Sequence, residues 1–208
     1  MDAKVRAVLD VYEERIRAES ESRRETPGTS FPVDRDQRLL AVGPETGRLI
    51  NILARSLEKP TILELGTSYG YSGIWLAEAA RAAGGRVITM ELQDYKARYA
   101  REMAQKAGLV DFIDFQVGNA LDMIGQMPHG IDFVLLDLWK DLLVDCLDAF
   151  YPKLNSGAII VADNMIFPAA AAADALRYRQ AVRARPKMSS LLVPVGSGLE
   201  ISRFDCQV

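Results

Sequence analysis

The residues of this sequence with the most chemical reach are acids that close apolar runs, with an asparagine and a lysine beside them. Glu64 ends Thr61-Ile62-Leu63, Glu91 ends Val87-Ile88-Thr89-Met90, Asp137 follows Phe133-Val134-Leu135-Leu136, and Asp163-Asn164 follow Ile159-Ile160-Val161-Ala162. Carboxylates gathered at one edge repel one another unless a cation or a polar ligand lies between them. Asp137, Asp163 and Asn164 supply hard oxygens of the kind Mg²⁺ takes, and such a set leaves positions for water or substrate. A substrate with two adjacent hydroxyls could fill two of those positions. The pattern alone also allows Asp163-Asn164 to be an Asx turn. Lys140 lies three residues past Asp137. A neighbouring divalent cation disfavours an ammonium, which makes Lys140 a candidate base for a hydroxyl proton. A salt bridge to Asp141 or Asp145 is the plainer role for it, and Trp139 could wall a pocket or pack in the core. The single histidine, His129, falls in the turn Met127-Pro128-His129-Gly130, so most histidine-based catalysis is ruled out.

A second signal precedes these. Glu64-Leu65-Gly66-Thr67-Ser68-Tyr69-Gly70-Tyr71-Ser72 is a strand end, a tight turn and a helix start. Such turns bring backbone N–H groups and a helix N-terminus close to a ligand, and glycine permits the approach. The spacing is not that of the dinucleotide-binding G-x-G-x-x-G turn, since Gly66 and Gly70 stand four apart with Ser68 between them. The charge of Glu64 would repel a diphosphate and attract an amino or sulfonium group, which suits S-adenosylmethionine. Glu91, some 25 residues beyond the turn, is placed to accept ribose hydroxyls, of NAD as well as of an adenosyl group. Its plainer role is as a charge partner of a helix N-terminus.

These residues require elements that set them along one edge. From residue 61 the chain alternates: strands at 61–65, 86–91, 112–117, 131–137 and 158–162, helices at 71–83, 94–107, 120–126, 141–153 and 169–185. Two closing strands, 189–195 and 199–204, read as a hairpin around Gly196-Ser197-Gly198. The fold class expected is α/β: a mostly parallel seven-stranded sheet with a C-terminal antiparallel hairpin and helices on both faces. Ahead of it, residues 1–25 carry six basic and seven acidic side chains around Val5, Val8, Leu9, Tyr12 and Ile16, a helix with one apolar face. Pro27-Gly28-Thr29-Ser30 breaks it, and a second helical region is expected from about Asp34, interrupted at Val42-Gly43-Pro44.

At 208 residues the chain suits one domain, 1–208, with residues 1–58 covering the cleft. A net charge of −3 gives no global case for nucleic acid or an anionic membrane. No apolar run reaches a membrane span, and the start lacks a signal-peptide core. Cys146 and Cys206 form no C-x-x-C pair, in keeping with reduced thiols and a cytoplasmic location. The N-terminal helix leaves a homodimer open.

Taken together, Glu64-Leu65-Gly66, Gly70-Tyr71-Ser72, Glu91, Asp137-Leu138-Trp139-Lys140-Asp141 and Ala162-Asp163-Asn164 resemble the metal-dependent O-methyltransferases that use S-adenosylmethionine. Within that family the sequence most resembles the catechol O-methyltransferases, over about residues 37–204: D-x-W-K-D recurs at Asp137–Asp141, and the D-N pair is followed by Pro168. The D-A-D-K segment of the caffeoyl-CoA group is absent. The resemblance implies a Rossmann-like methyltransferase domain. It implies Mg²⁺ or another divalent cation on Asp137, Asp163 and Asn164, and Lys140 as general base. It implies cofactor contacts from Val42, Glu64, Gly66, Ser72, Glu91, Ala120 and Asp137. Glu200 would orient the acceptor, between walls made by Trp139, Pro168 and Leu40. The acceptor implied is a small hydroxylated aromatic. Leu138 and Leu40 depart from the family pattern, as does the stretch 165–175.

Two other readings stay open. The same chemistry could serve a modified tRNA base or a CoA-linked phenol. For the tRNA, Arg177, Arg179, Arg183, Arg185 and Lys187 would be a basic run, and its plainer reading is a solvated helix face. A nucleotide-binding module without catalysis is the reading of another class.

Overall fold

Alternation within each central strand sends side chains to two separate cores. In β1 (Thr61–Leu65) Ile62 packs on one face, Leu63 and Leu65 on the other. The same alternation divides Phe133 and Leu135 from Val134 and Leu136 in β4 (Ile131–Leu136), and Ile159 and Val161 from Ile160 and Ala162 in β5 (Leu154–Ala162). A sheet apolar on both faces must be covered on both. The first core is closed by α1 (Ala3–Glu25), α2 (Pro44–Arg55), α3 (Tyr71–Ala83) and α4 (Asp94–Lys106). The second is closed by α5 (Ala120–Gln126), α6 (Leu143–Phe150) and α7 (Ala172–Ala184). The structure, a computed structural model, describes residues 1–25 and 35–205.

With β2 (Arg86–Glu91), β3 (Ile113–Val117), β6 (Met188–Val193) and β7 (Leu199–Phe204), the seven strands run in the order β3-β2-β1-β4-β5-β7-β6. The first five in that order are parallel to one another, and β7 pairs antiparallel with both β5 and β6. This is the α/β sheet with a C-terminal hairpin that the sequence patterning predicts. The order reverses between β1 and β4, so a crevice opens at their carboxyl ends.

Local chemistry sets the boundaries. Gly84, left-handed at φ 73°, ends α3. Pro44 occupies the first turn of α2. Helix α6 is shorter than its apolar pattern because 3₁₀ turns at Lys140–Leu142 and Tyr151–Lys153 flank it, and α7 likewise starts after a 3₁₀ turn at Ala169–Ala171. The helix expected before Pro44 does not form. Among the described residues of that stretch there is a 3₁₀ turn at Arg35–Gln37, and the chain then runs as an irregular strap with Leu40 at φ 48° and Gly43 at φ 85°. Asp34, the break at 27–30 and Cys206 lie outside the described residues. Among the described residues, no helix is long and apolar enough to cross a membrane.

Candidate active site

Backbone hydrogen bonds draw the strand ends together. The Gly66 and Thr67 N–H groups donate to the Met90 carbonyl, the Asp137 N–H donates to Leu65, and the Asp163 N–H donates to Leu136. Gly66 is required where it stands. At φ 99°, a Cβ on it would lie 2.1 Å from the Asp137 carbonyl oxygen, so the turn after β1 packs directly on the end of β4. Gly70, at φ 93°, caps α3 against Ala100, where a Cβ would come within 2.6 Å.

Glu64 points inward from β1, in register with Thr89 of β2 and Leu135 of β4. It is fully buried, and the cross-strand Thr89 hydroxyl donates to its Oε2 at 2.6 Å. Thr67 Oγ1 lies 2.5 Å from Thr89 Oγ1, extending the chain of hydroxyls. Glu64 Oε1 has no hydrogen-bond partner among the described residues. Burial pushes the carboxyl up to about 7, against hydrogen bonds from Ser72 and Thr89 that favour the charge, with Asp137 and Glu91 adding repulsion. A buried acid beside its own glycine turn, with one oxygen unfilled, fits a cationic group.

Glu91 braces the same turn. Its Oε2 accepts from the Ser68 N–H at 2.8 Å and its Oε1 from the Gln93 N–H at 3.0 Å. These bonds hold Ser68 in its left-handed conformation at φ 47° and leave further acceptor capacity on each oxygen. Ala120 opens α5, which Asn119 caps through the Leu121 N–H. Val42 is buried in the first core, and Ser72 is turned toward Glu64.

Asp137, Lys140, Asp163 and Asn164 gather on the other side of the crevice. Lys140 Nζ lies 3.3 Å from Asp137 Oδ1, so the lysine pairs with Asp137 rather than with Asp141 or Asp145. Asp163 is 1% exposed, and its Oδ1 has no hydrogen-bond partner among the described residues. Its pKa is shifted upward, first by burial and then by Asp137, with the Asn164 N–H and Lys140 acting in the opposite sense. Asn164 follows in a left-handed conformation at φ 62°. Among the described residues no three His, Cys, Asp or Glu side chains form a metal cluster. The candidate set is two carboxylates and an amide, and its orphaned buried oxygen suits a cation.

The side chains expected as acceptor walls are exposed. Trp139 is 53% exposed, Leu40 37% and Phe167 61%, and Pro168 is exposed beyond the cis Phe167–Pro168 bond. Glu200 is different. Its side chain is fully buried, it takes two hydrogen bonds from Arg183 at 2.7 and 3.1 Å and one from Ser190 at 2.5 Å, and Arg179 lies 3.5 Å away. Both oxygens are engaged, so Glu200 presents no free carboxylate to an acceptor. The signal for this was the i, i+4 pair Arg179/Arg183 on one face of α7. The other arginines of that run are paired as well, Arg177 with Asp174 at 3.8 Å and Arg185 with Asp148. A basic run so matched with carboxylates is no free cationic face for a polyanion. Pattern reading also passed over Thr67 and Thr89, although a threonine in register with a buried glutamate was a usable signal.

With a glycine turn on an acid-ended β1 and an Asp/Asp/Asn/Lys cluster across the switch point, the site can be set beside known proteins. The profile of the O-methyltransferase family matches residues 28–203. The chain belongs to the O-methyltransferase family. A catechol O-methyltransferase of Mycobacterium tuberculosis is 37% identical over 128 residues, covering 61% of this chain and 58% of that protein. The matched stretch spans 50–59% of the length of the first catechol O-methyltransferases found. A caffeoyl-CoA O-methyltransferase of Eucalyptus globulus is 24% identical over 185 residues, with 79% of this chain and 75% of that protein covered. The crystal structure of the O-methyltransferase TomG from Streptomyces achromogenes, in complex with SAM, superposes with a TM-score of 0.75 at 24% identity, covering 99% of this chain and 91% of that one. That structural likeness shares the α/β fold.

Proposed function

We propose that this protein transfers a methyl group from S-adenosylmethionine to one hydroxyl of a catechol-like small molecule, assisted by a divalent cation. The observation that carries the reading is two buried carboxylate oxygens without a hydrogen-bond partner, Glu64 Oε1 in β1 and Asp163 Oδ1 after β5. The first suits the cationic end of the methyl donor, the second a metal. Asp137, Asp163 and Asn164 would hold the cation, which when bound would favour the ionised form of a phenol that otherwise titrates near ~10.

The chain's own residues do the rest. Lys140, whose Nζ lies 3.3 Å from Asp137 Oδ1, would accept the hydroxyl proton. Glu91 and the Gly66–Gly70 turn hold the adenosyl and amino acid ends of the donor, with Val42, Ser72 and Ala120 beside them. Trp139, Leu40 and Pro168 would flank the acceptor ring and exclude water from its apolar faces. Glu200, sequestered by Arg183, is assigned no contact with the acceptor in this reading.

A CoA-linked phenol is the second reading, and the caffeoyl-CoA relative favours it. The test is methyl transfer followed by mass spectrometry, with S-adenosylmethionine, a panel of catechols and CoA-linked phenols, and either Mg²⁺ or EDTA. A methylated catechol formed only with Mg²⁺ is expected. Methylation of CoA-linked phenols alone would select the second reading, and product in EDTA would sink the metal assignment.

A further inference from the structure

Helix α1 reaches the backbone of the glycine turn through the buried Tyr12 hydroxyl. Tyr12, 1% exposed, donates its hydroxyl to the Tyr69 carbonyl at 2.5 Å. Tyr69 is the third residue of the turn between Gly66 and Gly70, and a Cβ on Gly70 would meet the Tyr12 oxygen at 3.4 Å. The Tyr12 ring is fixed edge-on by Tyr71 at 5.6 Å and Tyr99 at 6.4 Å between centroids. Burial holds its phenol well above the ordinary range, so the hydroxyl remains a donor.

The turn is also gripped from its other side, again by way of α1. Ser68 Oγ donates to the Leu39 carbonyl at 3.0 Å and Tyr69 Oη to the Asp36 carbonyl at 3.0 Å. The strap that carries those carbonyls is tied to α1, because Glu19 accepts the Leu39 N–H at 3.1 and 3.2 Å and Arg15 donates to the Gln37 carbonyl. The Arg15 guanidinium lies 4.7 Å from the Tyr69 ring centre. Ser68, held left-handed within the turn, would not keep that conformation in a free chain.

We propose that Tyr12 is a positioning residue for the methyl donor: its hydroxyl, acting through the Tyr69 carbonyl, sets the Gly66–Gly70 turn in its binding conformation. This rests on the reading that the turn holds S-adenosylmethionine. A preformed turn spares the ligand the free energy of ordering it, so loosening it weakens binding more than it slows the chemical step.

The test is Tyr12→Phe, which keeps the ring and its edge contacts and removes one hydroxyl. Calorimetric titration with S-adenosylmethionine is expected to give a Kd raised about 5–20-fold, from one lost buried hydrogen bond. At saturating donor, kcat and the acceptor KM are expected within about 2-fold of wild type. Tyr71→Phe is the control. Its hydroxyl lies 3.5 Å from Glu13 in the same aromatic cluster, and its loss is expected to leave the Kd unchanged. An unchanged Kd for Tyr12→Phe, whatever happens to its Tm, would overturn the proposal, as would equal weakening by Tyr71→Phe. Wild-type protein that bound no S-adenosylmethionine would overturn the cofactor reading itself, a result distinct from either.

Discussion

Replacing Glu64 with glutamine should make the ligand-free protein more stable and the enzyme worse. The native carboxyl is raised from 4.5 to about 7, chiefly by burial. That rise is worth roughly 3 kcal/mol, at about 1.4 kcal/mol per pKa unit. The sign follows from proton counts. Between pH 4.5 and about 7 the folded protein keeps a proton that the unfolded chain has released. Stability therefore falls as pH rises through that window, and the penalty is complete above it. Glutamine has no charge to lose. Its carbonyl can accept the Thr89 hydroxyl, and its amide group occupies the place of the unfilled Oε1.

Chemical denaturation of wild type and Glu64→Gln at a series of pH values isolates this one group by difference. Little gap is expected near pH 4.5, opening to about 2–3 kcal/mol in favour of the variant at pH 8. For a chain of this size that is roughly 4–12 °C in Tm. The same change removes the charge opposite the donor's cation, so the Kd for S-adenosylmethionine is expected to rise about 10–100-fold, the loss of a charge-assisted contact. A stability gap that does not grow with pH would refute the reasoning about burial. A variant that binds S-adenosylmethionine as tightly as wild type would refute the role given to the charge.

Two further outcomes follow from the site and its surroundings. Lys140→Met should lower kcat by about 10²–10⁴-fold while leaving the Kd for S-adenosylmethionine unchanged, and an unaltered kcat in steady-state assays would remove Lys140 as the base. Arg183→Ala strips the bidentate partner from Glu200 and leaves Arg179 at 3.5 Å. Thermal melts should show a loss of about 1–3 kcal/mol, less than the ~3–5 of a fully buried pair, because Arg183 is itself 43% exposed. Wild-type stability in that variant would mean that the pair does not hold α7 to the hairpin.

What the sequence made legible was whatever periodicity and local chemistry decide. Strand β1, strand β2, and helices α3 and α5 begin and end where apolar runs, glycines and an asparagine cap place them, and the strand-end acids lie at one edge because parallel strands put their carboxyl ends together. The segment before Pro44 was illegible for the opposite reason. Its backbone groups are satisfied by Glu19, Arg15 and Ser68, residues distant in sequence, so no local pattern announces an extended strap with Leu40 left-handed. Glu200 fails in the same way. A motif can place a glutamate beside β5, but whether it faces an acceptor or a guanidinium depends on which residues the neighbouring helix presents, and here α7 presents Arg179 and Arg183. Tyr12 carries the point further. In the sequence it is one of several apolar positions on an amphipathic helix, and only the packing of α1 on α3 and α4 turns its hydroxyl onto the carbonyl of the glycine turn. The residues that would touch a ligand follow from strand ends and turns. The residues that hold those strand ends and turns in place come from tertiary contacts, and structure is needed to find them.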